Sequence, residues 1–449
     1  WLATGAQGRT HLVSEAARRL ASQPRRALAA LGAQRRHRPD YQLVLFVGLL
    51  MLLGLIIMYA IGPQRANVLN NVHGTNFYTD TYFVIKQLVS LAVSIGAFAA
   101  LALLPFTFLK KYAEKLVWVG LGLCAILFLT GNVLHLSQIA QCSLGACRWF
   151  ELGPLGGFQP AEFLKFAMLL YLARFLGIRA DQGKINDTSL TVLPVLGVSL
   201  VALFFVVVLQ KDLGTGLALS SIILSMLIVS GMKWQLLGKI IGGAAVLGVL
   251  MVLLFPHRME RITTFIQGDN STAANADDAN YHIKNAKIAL GTGGFLGLGI
   301  GNSIQATGYL PEAINDSVFA IIGETFGFVG VSVVLIIFSA LLLRLLRITD
   351  HLADSSMRLA VAGIWGWLVA HVVLNVASMI GIFPLTGITL PLLSFGGTSM
   401  VFIAAALGLA FQLSRYTAHG SVVIKESGYE DSRSRRGLGR TRFSRRRSY

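Results

Sequence analysis

Ten stretches of roughly twenty mostly apolar residues dominate the chain, at about 42–62, 84–105, 115–136, 160–178, 189–209, 213–231, 235–256, 317–345, 357–382 and 396–414. Such a run is the length a helix needs to cross the hydrocarbon core of a bilayer. Inside that core every backbone N–H and C=O must be satisfied within the protein, which leaves helices or closed barrels. The fold class expected is all-α: a polytopic membrane protein with ten transmembrane helices. Only 13% of the residues are charged, against about 25% in a soluble domain. An even number of spans puts both termini on one side.

A net charge of +17 could suggest nucleic acid. The distribution argues against it, because basic residues gather in the tails and short loops. With both termini cytoplasmic, 29 of the 38 lysines and arginines fall inside, as the positive-inside rule requires. The expected parts are a basic cytoplasmic N-terminal tail (1–40), a transmembrane domain (41–414) and a basic disordered cytoplasmic C-terminal tail (415–449). Glu15–Leu31 reads as a solvated tail or an amphipathic basic helix on an anionic leaflet. No apolar signal-peptide core precedes the first span, so that span is expected to direct insertion. One long extracytoplasmic loop, 257–316, joins the seventh and eighth helices. Within it 268–280 is polar, and Tyr281–Leu290 has the spacing of an amphipathic helix. Cys142 and Cys147 share a short outer loop, where a disulfide and two free thiols are both open.

Chemistry concentrates at Gly291–Gly330. Six glycines (Gly291, Gly293, Gly294, Gly297, Gly299 and Gly301) lead to Leu310-Pro311-Glu312 and then to Asp316, at the mouth of an apolar run. The GxGxG text follows no strand and opens no βαβ unit, so it is not a dinucleotide loop. It reads as tight turns and close backbone packing. An acid at a membrane boundary is a functional candidate. A low dielectric there would raise its pKa toward that of a general base. The competing role for Asp316 is to cap the eighth span beside Ser317. Other charges lie on the same outer side: Lys86, Arg148, Glu162 and Lys165, Lys211 and Asp212, Arg258 and Arg261, Glu312 and Glu324. Several cations suit a diphosphate. Glu162 and Lys165 are one turn apart and would also serve as a helix pair. Asp212 would also serve as a helix cap. His135 and His371, in apolar spans, read as hydrogen-bonded core residues. A base, a cationic clamp and lipid access together suggest glycosyl transfer from a lipid-diphosphate sugar.

Four motifs carry a family resemblance: RWFELGPLGGFQPAEFLKFA at Arg148–Ala167, LQKDLGT at Leu209–Thr215, the segment Gly291–Glu324, and FPLTGITLPLLSFGGTSM at Phe383–Met400. The chain resembles the SEDS (shape, elongation, division and sporulation) proteins of the FtsW/RodA/SpoVE group over most of 41–414. That resemblance implies a peptidoglycan glycosyltransferase that polymerises lipid II with a class B penicillin-binding protein. Asp316 matches the family's essential acid. Lys86-Gln87, Arg148-Trp149 and Gln159 to Glu162 match its other polar motifs. Departures are Ile314-Asn315 in place of His-Thr, Lys211 in place of proline, Thr325 in place of glutamate, and the Cys142/Cys147 loop. Gly308–Ala313 leans toward the division members, so septal wall synthesis with divisome proteins is expected. Undecaprenyl diphosphate would leave, held by Lys86, Arg148 and Lys165 and by a divalent cation such as Mg or Mn if one binds. The rival classes are a lipid II flippase, an elongation polymerase like RodA, and a scaffold that recruits a synthase.

Overall fold

The computed structural model describes residues 38–136, 138–143, 146–151, 153, 156–254, 259, 262–263, 265–266, 276–395 and 397–417. Arg258, Arg261, the Glu15–Leu31 segment and the C-terminal tail beyond Thr417 lie outside the described residues.

The first helix, α1 (Tyr41–His73), is capped by Asp40, whose side chain accepts from the Gln42 amide, and it stops at left-handed Gly74. It runs well past the expected end at 62 and carries Pro63 inside it. Helices α2 (Tyr82–Leu103) and α3 (Phe106–Phe128) follow, the latter ending in a π turn, Leu129–Val133. Next, α4 (Pro160–Asp181) opens with proline in its first turn, where the missing N–H costs nothing. The helix α5 (Leu193–Leu203) has π turns on both sides, Thr188–Val192 and Phe204–Leu209. Then come α6 (Leu213–Val229), α7 (Trp234–Leu254) and the loop helix α8 (Ala276–Thr292). The last three are α9 (Val318–His351), α10 (Ser355–Met379) and α11 (Gly397–Leu413).

Among the described residues, 8 helices are long and apolar enough to cross a membrane. The helix α6 is apolar but shorter, and α4 carries too many charges to qualify. The all-α expectation needs one correction. Strands β1 (Ala140–Ser143), β2 (Ala146–Glu151) and β3 (Gly157–Phe158) form an antiparallel sheet in the order β1-β2-β3. Cys142 and Cys147 face each other across β1 and β2 and are joined as a disulfide.

Of these eight, α10 and α11 are the most enclosed, with 72% and 83% of their most apolar stretch buried. Small residues let them sit deep. Gly408 of α11, for example, has no room for a Cβ beside the Phe98 carbonyl of α2. Close backbone approach of this kind substitutes for a hydrophobic driving force among lipid-immersed helices.

The glycine-rich loop packs on a break in α9. Gly327 leaves helical geometry at φ 64° and ψ −163°. The loop and the break then exchange backbone hydrogen bonds: Leu298 N to Glu324 O (2.9 Å), Gly299 N to Thr325 O (3.0 Å), Phe328 N to Gly294 O (2.9 Å) and Val329 N to Phe295 O (3.2 Å). A Cβ on Gly297 would collide with the Thr325 carbonyl, and one on Gly327 with the Gly297 amide. Both positions also have positive φ, which only glycine adopts freely. The sequence reading of these glycines as packing residues holds.

Candidate active site

The bundle has two polar ends. At one, the Asp40–Arg344 ion pair and the Asp40 amide on Ser414 tie the start of α1 to α9 and to the end of α11, and the Ser355 hydroxyl on Asp181 ties α10 to α4. At the other lie Asp316, the β-sheet, the turn after α5 and the loop before α11.

Asp316 ends a tight turn. Asn315 N and Ser317 N both donate to the Glu312 carbonyl, at 2.9 and 3.2 Å. Glu312 itself has φ 50°, and its exposed carboxylate accepts from the Asn315 side chain. The Ile314 carbonyl accepts from Phe395 N at 2.8 Å. Asn375 of α10 donates one side-chain N–H to the Asp316 carbonyl (2.7 Å) and the other to the Ile388 carbonyl (2.8 Å). The aspartate is only 9% exposed. The expectation that it caps the following helix is corrected, because α9 begins at Val318 with Ser317 in the cap position. The Ser317 hydroxyl donates to the Pro311 carbonyl at 2.8 Å and accepts from His282 Nε2 at 2.6 Å. That network puts the proton of the neutral imidazole on Nε2. Burial holds His282 below its usual range, with Glu312 acting the other way.

The buried ion pair sits deeper. Glu162 Oε1 and Lys165 Nζ are 2.7 Å apart on α4, both side chains being almost wholly buried. The helix-pair reading of this motif holds. Lys165 also reaches His371 Nε2 at 3.3 Å and lies over the Trp367 ring. Trp367 Nε1 donates to the same imidazole nitrogen at 3.2 Å, and His371 Nδ1 faces the Thr389 carbonyl at 3.1 Å. With two donors on Nε2, the proton of a neutral ring belongs on Nδ1. Trp367, His371 and Asn375 stand four residues apart and share one face of α10. Through adjacent carbonyls of Ile388 and Thr389, that face connects the buried pair to the backbone of Asp316. His371 is a hydrogen-bonded core residue, as its sequence context implied, whereas His135, read the same way, is exposed beyond the end of α3. Asn375 and Trp367 were not singled out, although their spacing from His371 was the available signal.

The other expected groups form a second cluster. Arg148, on β2, donates to the carbonyls of Gln210 (3.2 Å) and Lys211 (2.8 Å). Lys211 is exposed and has φ 53°. Asp212 caps α6, accepting from Thr215 N (2.9 Å) and its hydroxyl (2.8 Å), and takes Gln159 Nε2 at 3.1 Å. The capping role expected of Asp212 is thus present. Lys86 is exposed on α2, its ammonium over Tyr82, while Gln87 beside it is buried. Glu324 accepts from the Ser303 hydroxyl and from the amides of Ile304 and Gln305. It therefore closes the Gln305–Thr307 turn. No three His, Cys, Asp or Glu side chains gather as a metal-ligand set among the described residues.

A family model for the cell cycle proteins FtsW, RodA and SpoVE matches residues 41–419. The chain belongs to that family. Stage V sporulation protein E of Bacillus subtilis is 30% identical over 85% of this chain and 98% of its own length. The probable peptidoglycan glycosyltransferase FtsW of Haemophilus ducreyi is 32% identical over 85% and 91%. Among solved structures, a chain of a peptidoglycan synthase complex that coordinates polymerization and crosslinking superposes with a TM-score of 0.65 at 27% identity, covering 85% of this chain and 99% of that one. The rod shape determining protein RodA of Thermus thermophilus gives 0.59 at 26% identity, covering 85% and 98%. This FtsW/RodA/SpoVE protein is accordingly a multi-pass membrane protein.

Proposed function

We propose that the chain is a peptidoglycan glycosyltransferase that polymerises lipid II on the outer face of the cytoplasmic membrane during septal wall synthesis. The observation that carries this reading is the placement of Asp316. A nearly buried carboxylate ends a turn pinned by Asn375 and Phe395, at the end of the bundle that also holds Lys86, Arg148 and Lys211. The names of the FtsW relatives and the likeness to a synthase complex support it.

In this mechanism the 4-hydroxyl of the GlcNAc of an incoming lipid II gives its proton to Asp316. Its oxygen bonds to the anomeric carbon of the lipid-linked MurNAc of the growing strand. The bond from that carbon to the diphosphate oxygen breaks, and undecaprenyl diphosphate leaves with the electron pair. Lys86, Arg148 and Lys211 balance the charge of the leaving group, which develops where cations have already been fixed. Lys165, enclosed and paired, belongs to the frame.

With α4 and α6 added to the eight long apolar helices, the chain has ten spans, cytoplasmic termini and 257–316 outside. The partners are a class B penicillin-binding protein, which cross-links the product, and divisome proteins. A role in elongation is the second reading, favoured by the fold likeness to RodA. A fluorescent fusion concentrated at midcell supports the septal role, and one spread along the side wall supports the other.

Purified protein with its cognate transpeptidase, given lipid II, should make glycan strands visible on a gel. Asp316→Ala should abolish them, a loss of at least about a hundredfold for a general base. Undiminished polymer from that variant would remove Asp316 as the base. Lipid scrambling without polymer would favour a transporter.

A further inference from the structure

At the end of the bundle away from Asp316, the loop after α4 meets the foot of α7. The Lys233 amide donates to Asn186 Oδ1 at 2.7 Å, tying the two together. A cavity of about 170 Å³ opens beside this tie, lined by Asn186, Thr188, Lys233, Gln235, Leu236 and Lys239. Its lining is four neutral groups and two ammonium ions. Neither lysine forms an ion pair with a described carboxylate. The nearest acid in sequence, Asp187, is turned to its own helix: it accepts from the amides of Ser189 and Leu190 and from the Ser189 hydroxyl, all at 3.0 Å. Those bonds hold its carboxyl below the usual range, the Leu190 amide contributing most.

Above the cavity α7 is apolar and passes from packed to exposed. Met232 and Leu237 are buried, and Leu236 and Ile240 are partly so. From Ile241 to Leu250 every residue of α7 is exposed. The rod that begins at Thr188 also carries exposed apolar surface, with Leu193 66% exposed. Trp234, at the foot of α7, is 77% exposed, and tryptophan favours the headgroup level of a bilayer. A spanning helix exposed from Ile241 to Leu250 leaves a slot beside it that a bilayer fills with acyl chains. Basic pockets between spanning helices at the basic side select anionic headgroups.

We infer that the foot of α7 is a binding site for an anionic phospholipid: Lys233 and Lys239 hold the headgroup phosphate, Thr188 and Gln235 complete its hydrogen bonds, and the acyl chains lie in the slot beside α7. The site does not depend on the glycosyl-transfer reading, since it lies at the opposite end from Asp316.

The test uses the full chain, delipidated in detergent and titrated with phosphatidylglycerol or phosphatidylcholine, with bound lipid counted by native mass spectrometry. Wild type should retain phosphatidylglycerol selectively. Lys233→Ala/Lys239→Ala should weaken retention roughly thirtyfold, from about 1 kcal/mol per cation at an anionic surface at about 1.4 kcal/mol per tenfold. Lys110→Ala/Lys111→Ala, which removes basic charge elsewhere, should leave it unchanged. If the alanine pair does not run as a monodisperse protein, Lys233→Gln/Lys239→Gln takes its place. Retention unaffected in the double variant would overturn the site. Equal loss in the Lys110/Lys111 control would reduce it to general surface charge. Displacement of the lipid by millimolar inorganic phosphate would make it an ion site, and a co-purifying protein in place of lipid would make the slot a protein interface.

Discussion

Lys165 and His282 illustrate opposite fates of a titratable side chain near a membrane. Lys165 was readable in the sequence as a cation one turn from Glu162, and the spacing told correctly that they meet. Burial was not readable, because it depends on Trp367 and His371 arriving from a helix two hundred residues away. Removing one member of such a pair strands a charge, costing about 3–5 kcal/mol, whereas replacing both with neutral groups is often nearly neutral. Lys165→Met should therefore lower the thermal midpoint sharply, and Glu162→Gln/Lys165→Met should restore it with polymerisation largely retained. A double variant that folds but makes no polymer would return Lys165 to the diphosphate. His282 makes a pH prediction. Its folded pKa is depressed by burial, below about 6.5 for an unfolded histidine. Its contribution to stability is complete above that value and is lost as pH falls through it, levelling off at the folded pKa. Thermal midpoints measured from pH 8 to 5 should decline below about 6.5, and His282→Asn should flatten that part of the curve.

At the scale of elements, hydropathy located the spans because each must bury about twenty apolar residues in lipid. It misjudged where helices stop. The extra three turns of α1 past 62 are polar, and helix continues there because Pro63 and the residues after it are held by neighbours, as when Gln64 donates to the Gly301 carbonyl at 2.8 Å. The β-sheet escaped notice since strands of four, six and two residues carry too little periodicity to read. The disulfide that joins the first two is not legible in the sequence for the same reason: spacing alone does not say how a loop folds. Glycines spoke more clearly. Gly327→Ala should lower the thermal midpoint by an amount equivalent to about 2 kcal/mol or more, from backbone strain alone, with the collision at the Gly297 amide adding to it. Size-exclusion profiles after heating would report the loss, and an unchanged midpoint would mean that the break in α9 is not fixed by these contacts.

For the whole molecule, orientation rests on the separation of its two polar ends. Single cysteines introduced at Tyr309, beside the Asp316 turn, and at Lys239, at the basic end, should react with an impermeant maleimide from opposite faces of the membrane. Labelling of both from one face would break the ten-span topology, and labelling from the exchanged faces would invert it. The seam between the glycine loop and α9 has a different consequence, for how such a protein can change. Four of its hydrogen bonds run from backbone to backbone, so they do not read the identity of Leu296, Leu298 or Ile300, whose side chains are exposed. Selection can rewrite that outer surface, residue by residue, to suit a new lipid or a new neighbour. The cost falls only on the few glycines beneath it, and the acid eighteen residues downstream of Leu298 never has to move.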